Sequence, residues 1–394
     1  LLRCVPSIKA TRSRVIFASN KSMGKRASIA ECMMDLLSIN DRKWHYPQSY
    51  YASSVADLGE LGELEPNSSV DICVIGAGYT GLSSAICLAE KGYSVKILEA
   101  QRIGFGASGR NGGQVGSGQR WDQREIEKKF GLENAQKYWQ LAEEAKSEVK
   151  GRISANQISC DYRSGIIHSE LKEKNVLDHF KYVNYLNQNN EYSQISTLHK
   201  SDICELTGTT IYKGGSLDLG AGHLNPLKYA FGLAKVALAM GVNICERSRV
   251  VSIEYGSKTN TIKTDNGCLV EANFLVLACN GHLGNLEPRI ASKVMPINNF
   301  IVATEPLGKD LYKNILKLDH AVADSKFVVN YFKKSADSRL IFGGGENYSY
   351  KFPTNLGDKV CRAMLEVYPQ LQHTKIDYSW GGTLGISVNR LPVF

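Results

Sequence analysis

Three glycines and one acid carry the plainest chemical signal in this chain. Gly76-Ala77-Gly78-Tyr79-Thr80-Gly81 is followed, 18 residues after its last glycine, by Glu99. Gly76 permits a tight turn, Gly78 lets backbone approach a phosphate closely, and Gly81 lets a helix pack against a strand. A helix that starts there offers free N–H groups and a positive dipole end to phosphate oxygens. An acid placed like Glu99 accepts hydrogen bonds from ribose hydroxyls. These residue types at this spacing predict dinucleotide binding.

A glycine-rich turn alone is a weak signal, so its flanks decide. Residues 70–75 are an apolar, β-branched run that reads as a buried strand. Leu82, Ala85, Ile86 and Ala89 recur at helical spacing. Gly92 supplies a stop, and residues 94–98 read as a second strand ending at Glu99. Residues 102–114 then run RIGFGASGRNGGQ. So many glycines exclude a regular helix or a central strand. In nicotinamide-dependent folds a crossover helix normally follows the second strand. A long loop of backbone donors suits an extended cofactor buried along its length, which points to FAD.

The rest of the chain sets the frame. Its 394 residues allow two domains. No run approaches the ~20 apolar residues of a membrane span. Of the +8 net charge, most lies in residues 1–50, which hold nine Lys/Arg against three Asp/Glu. The body is near neutral, which argues against nucleic acid as a partner. The ten cysteines form no CxxC pair and no cluster with His, so no metal site is expected. They read as small core hydrophobes in a reducing compartment. Residues 1–30 hold seven basic residues and no acid. They have the composition of a mitochondrial transit peptide, with a disordered basic leader, or sequence upstream of the true start, as the favoured alternative. Residues 1–47 are set aside as that leader. The expected location is cytoplasmic, or mitochondrial if the basic stretch works as a transit peptide.

The run DICVIGAGYTGLSSAICLAEKGYSVKILEAQRIGFGASGRNGGQ resembles the N-terminal signature of the D-amino-acid-oxidase-like FAD-dependent oxidoreductases. Ser49-Tyr50-Tyr51-Ala52-Ser53-Ser54, Cys160-Asp161-Tyr162-Arg163, Gly222-His223-Leu224-Asn225-Pro226-Leu227, Gly343-Gly344-Gly345 and Lys375-Ile376-Asp377-Tyr378 resemble the family too. The likeness runs from about residue 48 to the end. It implies that Gly76, Gly78 and Gly81 line the pyrophosphate and that Glu99 holds the adenosine ribose. It places Arg102, Ser108, Gly109, Arg110, Asn111, Gly112 and Gly113 beside the ribityl chain and flavin. The family continues past Phe394 with a segment that approaches the flavin ring, which implies either that the sequence is a fragment or that one wall of the flavin site is absent.

The expected fold is α/β (α+β overall): a Rossmann-like FAD-binding domain with a second, mixed-sheet substrate domain. Residues 68–157, 220–288 and 342–394 are assigned to the first, and 158–219 and 289–341 to the second. Asn225-Pro226 opens a helix with a cap and an N1 proline. Asp265-Asn266-Gly267 is a hairpin signal, and residues 274–278 read as a buried return strand. Val251 is a candidate backbone contact to adenine, with plain core as the favoured alternative.

The resemblance implies oxidation of a C–N bond, with hydride passing to the flavin, hydrolysis of the imine and reoxidation by O2 to peroxide. FAD carries the difficult step, so no strong base is required. Substrates implied are an amine, gamma-glutamylputrescine or a related polyamine derivative. A secondary amino acid such as sarcosine, glycine or proline is the alternative, and a flavin-binding protein without turnover is the third. Candidates for the chemistry are His223, Tyr331 and Trp380. A structural hydrogen bond, a half-buried sheet tyrosine and a core tryptophan are their respective alternatives. Arg110 is a candidate to stabilise reduced flavin, or else a contact within the FAD domain. Cys279 reads as a buried strand-end cysteine.

Overall fold

The computed structural model describes residues 35–56, 58, 59, 61 and 64–391. Along the chain the first strands are β1 (Ser68–Ile75), β2 (Val95–Leu98), β3 (Gln114–Val115), β4 (Arg163–Glu170) and β5 (Ile195–Leu198). Then come β6 (Gly214–His223), β7 (Asn243–Cys245), β8 (Val250–Glu254), β9 (Asn260–Thr264) and β10 (Leu269–Leu277). The last are β11 (Val294–Thr304), β12 (Ala321–Asp324), β13 (Tyr331–Lys334), β14 (Leu340–Asn347) and β15 (Ile376–Ser387).

The smaller sheet has the order β7-β2-β1-β10-β9-β8. Its first four strands are parallel, and β10-β9-β8 is an antiparallel meander. The last four residues of β1 are buried on both faces, as a central parallel strand requires. Ile75 stands in register with Leu98 of β2 and with Leu277 of β10. Three parallel strands therefore end level, and Gly76, Glu99 and Ala278 leave from one edge. That is the edge at which open α/β sheets bind ligands.

The helix Tyr79–Ala89 packs on β1 and β2 through Leu82, Ala85 and Ile86. The helix Pro226–Ala239 packs beside it, opened by Asn225, whose Oδ1 accepts the Lys228 N–H at 3.2 Å. Residues 274–278 depart from expectation. Phe274 of β10 is exposed and residues 275–278 are only partly buried.

The larger sheet runs β15-β11-β14-β13-β12-β4-β6-β3, with β5 also on β6. Its back carries the helix Leu356–Val367 over Phe300, Val302, Phe332 and Phe342. The pleat reverses direction at each residue. Ile301, Tyr331 and Ile341 therefore face the other way, into the cluster that also holds Tyr51, Ile103 and Trp380 beneath the smaller sheet.

Two assignments need correction and one an addition. Residues 342–394 were placed with the nucleotide-binding part, yet β14 and β15 hydrogen-bond to either side of β11 in the larger sheet. Residues 158–219 contain the helices Glu173–Asn189 and Lys200–Thr207 as well as strands. Residues 35–47, set aside with the leader, pack against both parts of the molecule through Asp35, Asn40, Asp41 and Tyr46. Residues 1–34 lie outside the described residues. Among the described residues no helix is long and apolar enough to cross a membrane.

Candidate active site

A cavity of about 990 Å³ opens at the edge where β1, β2 and β10 end. Gly76, Gly78, Glu99, Ser108 and Val251 all line it, with Ala278, Cys279 and His282 on the β10 side. Gly76 has φ +106°, and a Cβ there would stand 2.7 Å from the Ala278 carbonyl oxygen. A Cβ on Gly78 would stand 2.8 Å from Ser108 Oγ. Gly81 acts one layer below, since a Cβ there would lie 1.9 Å from the Gly76 carbonyl oxygen. The turn is thus closed, at Gly76 and Gly81, by backbone contacts that only glycine permits.

The helix Tyr79–Ala89 begins at Gly78 with no side-chain cap from that residue. Ser108 Oγ accepts the Tyr79 N–H at 3.0 Å, so the second loop reaches the helix N-terminus. Glu99 accepts N–H groups from Ala77 at 2.7 Å and Gln101 at 2.8 Å. Burial raises its carboxyl to about 7 against the pull of these donors. At the far end Val251 is half-exposed into the cavity, at an irregularity in the β8–β9 register. It is a lining residue and not core.

The loop at 102–114 divides its labour. Asn111 Nδ2 donates to the carbonyls of Ala107 and Ser108, each at 3.0 Å, and its Oδ1 accepts the Gly113 N–H at 2.6 Å. Gly109 packs on the Gly104 carbonyl. Arg102 stands away from the cavity, its Nε donating to Glu246 at 2.6 Å and its guanidinium over the Tyr46 ring. Arg110 is buried. Its Nε donates to the Phe105 carbonyl at 2.6 Å and its Nη1 pairs with Asp41 at 2.9 Å, while Nη2 has no protein partner.

Of the three catalytic candidates, the structure brings Tyr331 and Trp380 against this loop. Tyr331 covers Gly112, where a Cβ would come within 2.6 Å of its ring, and its hydroxyl donates to Asn299 Oδ1 at 2.5 Å. His223 is fixed elsewhere: Nε2–H donates to the Asp319 carbonyl at 2.7 Å. Burial and the nearby Lys333 charge lower its imidazolium to about 3, so it stands neutral near pH 7. Trp380 Nε1 donates to the Arg110 carbonyl at 3.0 Å, and its ring meets Tyr51 edge-on. It supports the loop from behind. Cys279 is in the cavity wall, but burial raises its thiol to about 12, which disfavours the thiolate.

Sequence reasoning missed four residues. His282 lines the cavity, its ring 3.5 Å from where a Gly106 Cβ would be. Lys333 is buried, donates to the Leu224 carbonyl and lies 2.8 Å from where a Gly113 Cβ would be. Its signal was its place two residues after Tyr331 in one strand. Glu346 pairs in register with Asn299 and accepts the Tyr348 hydroxyl at 3.0 Å. Asp41 had no local signal at all.

Comparison with known proteins defines the class. Residues 71–394 match the model of the FAD dependent oxidoreductase family, DAO, and the chain belongs to that family. FAD is its cofactor, and the residues present fit it: a glycine cradle, a helix terminus opened by glycine and a buried acid around a cavity of sufficient volume. The chain is 37% identical over 344 residues to a probable oxidoreductase OrdL of Rhizobium meliloti (strain 1021), covering 87% of this chain and 80% of that one. It is 35% identical over 352 residues to the gamma-glutamylputrescine oxidoreductase of Escherichia coli (strain K12), covering 89% and 82%. In fold it resembles the glycine oxidase of Geobacillus kaustophilus, with TM-score 0.68 at 17% identity over 82% of this chain and 85% of that one.

Proposed function

We propose that this FAD-dependent oxidoreductase oxidises a C–N bond of an amine, gamma-glutamylputrescine or a related polyamine derivative. The products are an aldehyde, ammonia and hydrogen peroxide, with O2 and water consumed. The likeness to the Escherichia coli gamma-glutamylputrescine oxidoreductase across most of both chains carries this reading. Bound FAD supplies the two-electron acceptor, while the protein supplies orientation and electrostatics. Gly76, Gly78, Glu99, Ser108 and Val251 are the residues we assign to hold it.

The surroundings of Tyr331 support an amine. Its aromatic face, with Asn299 and Glu346 on the adjoining strands, offers an apolar wall beside hydrogen-bond acceptors. An apolar wall favours the neutral amine by desolvation, and Glu346 suits a distant ammonium. The loop arginines are engaged by carboxylates, Arg110 by Asp41 and Arg102 by Glu246. Neither is placed to take an amino-acid carboxylate.

One observation favours the second reading, an amino acid such as sarcosine, glycine or proline. Arg120, at the surface, carries a cation that feels both Glu346 and Arg390, and a cation is what a substrate carboxylate needs. A gamma-glutamyl conjugate would use the same arginine, because it carries an ammonium and a carboxylate at its far end. Peroxide production from gamma-glutamylputrescine, putrescine, sarcosine, glycine and proline separates the readings. The proposal expects the highest kcat/KM with gamma-glutamylputrescine. Sarcosine, glycine or proline in first place would replace it, and no peroxide from any would favour a flavoprotein without turnover.

A further inference from the structure

Residues 35–46 run outside both sheets, yet they touch the cofactor cavity at its Val251 end, its loop and its larger-sheet side. Asp35, Leu36 and Leu37 line it. At the Val251 end, Asp35 pairs with Arg249 Nη1 at 2.7 Å. Asn40 reaches the larger sheet's side, its Nδ2 donating to the Tyr350 carbonyl at 2.8 Å and its Oδ1 accepting the Phe352 N–H at 2.7 Å. Gln101, two residues beyond Glu99, accepts the Trp44 N–H at 2.6 Å and donates to the Leu37 carbonyl at 2.7 Å. Tyr46 donates to the Ile103 carbonyl at 2.7 Å.

The anchor is Asp41. Its two carboxylate oxygens accept from Arg110 Nη1 at 3.0 and 2.9 Å, with the side chains only 13% and 5% exposed. A cation this deep requires a partner, and removing one member of such a pair strands the other. Arg110 in turn ties the loop to its neighbours. Its Nε holds the Phe105 carbonyl, its Nη1 the Gly381 carbonyl, and its own carbonyl receives Trp380 Nε1. Phe105 lines the cavity, so the chain of contacts runs from Asp41 through Arg110 to the cofactor wall.

We propose that residues 35–46 are the outer wall of the FAD site, and that Asp41 is the positioning residue that holds the 102–114 loop against the cofactor through Arg110. The segment connects the nucleotide end, the loop and the larger sheet while adding little to either core. Its principal effect is therefore on how long FAD stays bound. Cofactor release requires Leu36 and Leu37 to lift, and the Asp41–Arg110 pair resists that movement.

The test uses the full chain loaded with FAD, with release followed by the return of flavin fluorescence on dilution. Asp41→Asn, and separately the pair Leu36→Ala and Leu37→Ala, are each expected to release FAD about tenfold faster, the effect of weakening one buried ion pair or removing two apolar lining groups. Asp41→Glu is expected to restore most of the retention. The apo-protein's Tm is expected to stay near the unmodified chain's in the Leu36/Leu37 variant, whose side chains face the cavity, and to fall in Asp41→Asn, which strands Arg110 with or without FAD. Unchanged release in both variants would overturn the proposal. So would an apo Tm loss in the Leu36/Leu37 variant as large as its loss with FAD bound, since that marks a structural role only. If Asp41→Asn does not fold, the Leu36/Leu37 pair decides by the same two readings.

Discussion

The Glu99 carboxylate accepts the Ala77 N–H at 2.7 Å, which ties the end of β2 to the middle of the glycine turn. Burial holds this carboxyl up at about 7, and only its ionised form accepts freely from ribose hydroxyls. FAD affinity should therefore tighten as pH rises through about 7. The apo-protein shows the opposite sign. Its folded state binds this proton more tightly than the unfolded chain does, so this group's contribution to stability falls as pH climbs from its ordinary value of 4.5 to about 7. Glu99→Gln should flatten both profiles and weaken FAD by about tenfold. Fluorescence titration of apo-protein with FAD across this pH range checks the sign, and affinity that loosens with rising pH would refute it.

Gly78 and Gly81 should separate cofactor binding from folding. A methyl on Gly78 meets only Ser108 Oγ, the end of a short side chain that can turn away. A methyl on Gly81 meets the Gly76 carbonyl at 1.9 Å, which is backbone. Gly78→Ala should leave apo stability nearly intact and weaken FAD. Gly81→Ala should cost about 2–4 kcal/mol with or without FAD. Denaturant unfolding of both forms distinguishes them, and equal stability losses in the two variants would contradict the assignment.

Lys333 sits against Gly113 and the Leu224 carbonyl, and burial lowers its ammonium to about 7. Asp161 and Asp319 partly offset this by attraction, while His223 nearby stays neutral. The folded chain thus releases this proton before the unfolded chain does. This group's contribution to stability should rise with pH from about 7 towards 10.5. Lys333→Met should abolish that rise, as read from urea midpoints at a series of pH values.

Glu346 and Arg120 should divide the substrate's far end between them. Glu346→Gln is expected to raise KM for amines about tenfold with kcat little changed, the signature of binding shared by ground and transition states. Arg120→Ala should raise KM for gamma-glutamylputrescine more than for putrescine, which lacks the carboxylate. Equal effects on the two substrates would remove Arg120 from recognition.

The nucleotide half of the site was legible because its signals are local. Gly76, Gly78, Gly81 and Glu99 fall within one strand–helix–strand unit, and β1 and its neighbours end in register, which brings them to one edge. Val251 was recognised as a candidate contact, although plain core was the favoured alternative. The flavin half was harder to read. Gly112 meets Tyr331, and Asn299 meets Glu346, through strand pairings that bring distant segments together. Arg102 and Arg110 looked alike in the sequence. Only the fold shows that Glu246 and Asp41 claim them. The basic composition of residues 1–30 also drew residues 35–47 into the leader, where Asp35, Asp41, Trp44 and Tyr46 were the unheeded contrary sign.

Anaerobic mixing of the FAD-loaded protein with gamma-glutamylputrescine tests the central claim most directly. The flavin's long-wavelength absorbance should bleach at a rate no slower than turnover. It should return on admitting O2, with one peroxide and one aldehyde formed per flavin reduced. A flavin band that stays unchanged with this substrate but bleaches with sarcosine, glycine or proline would contradict the account.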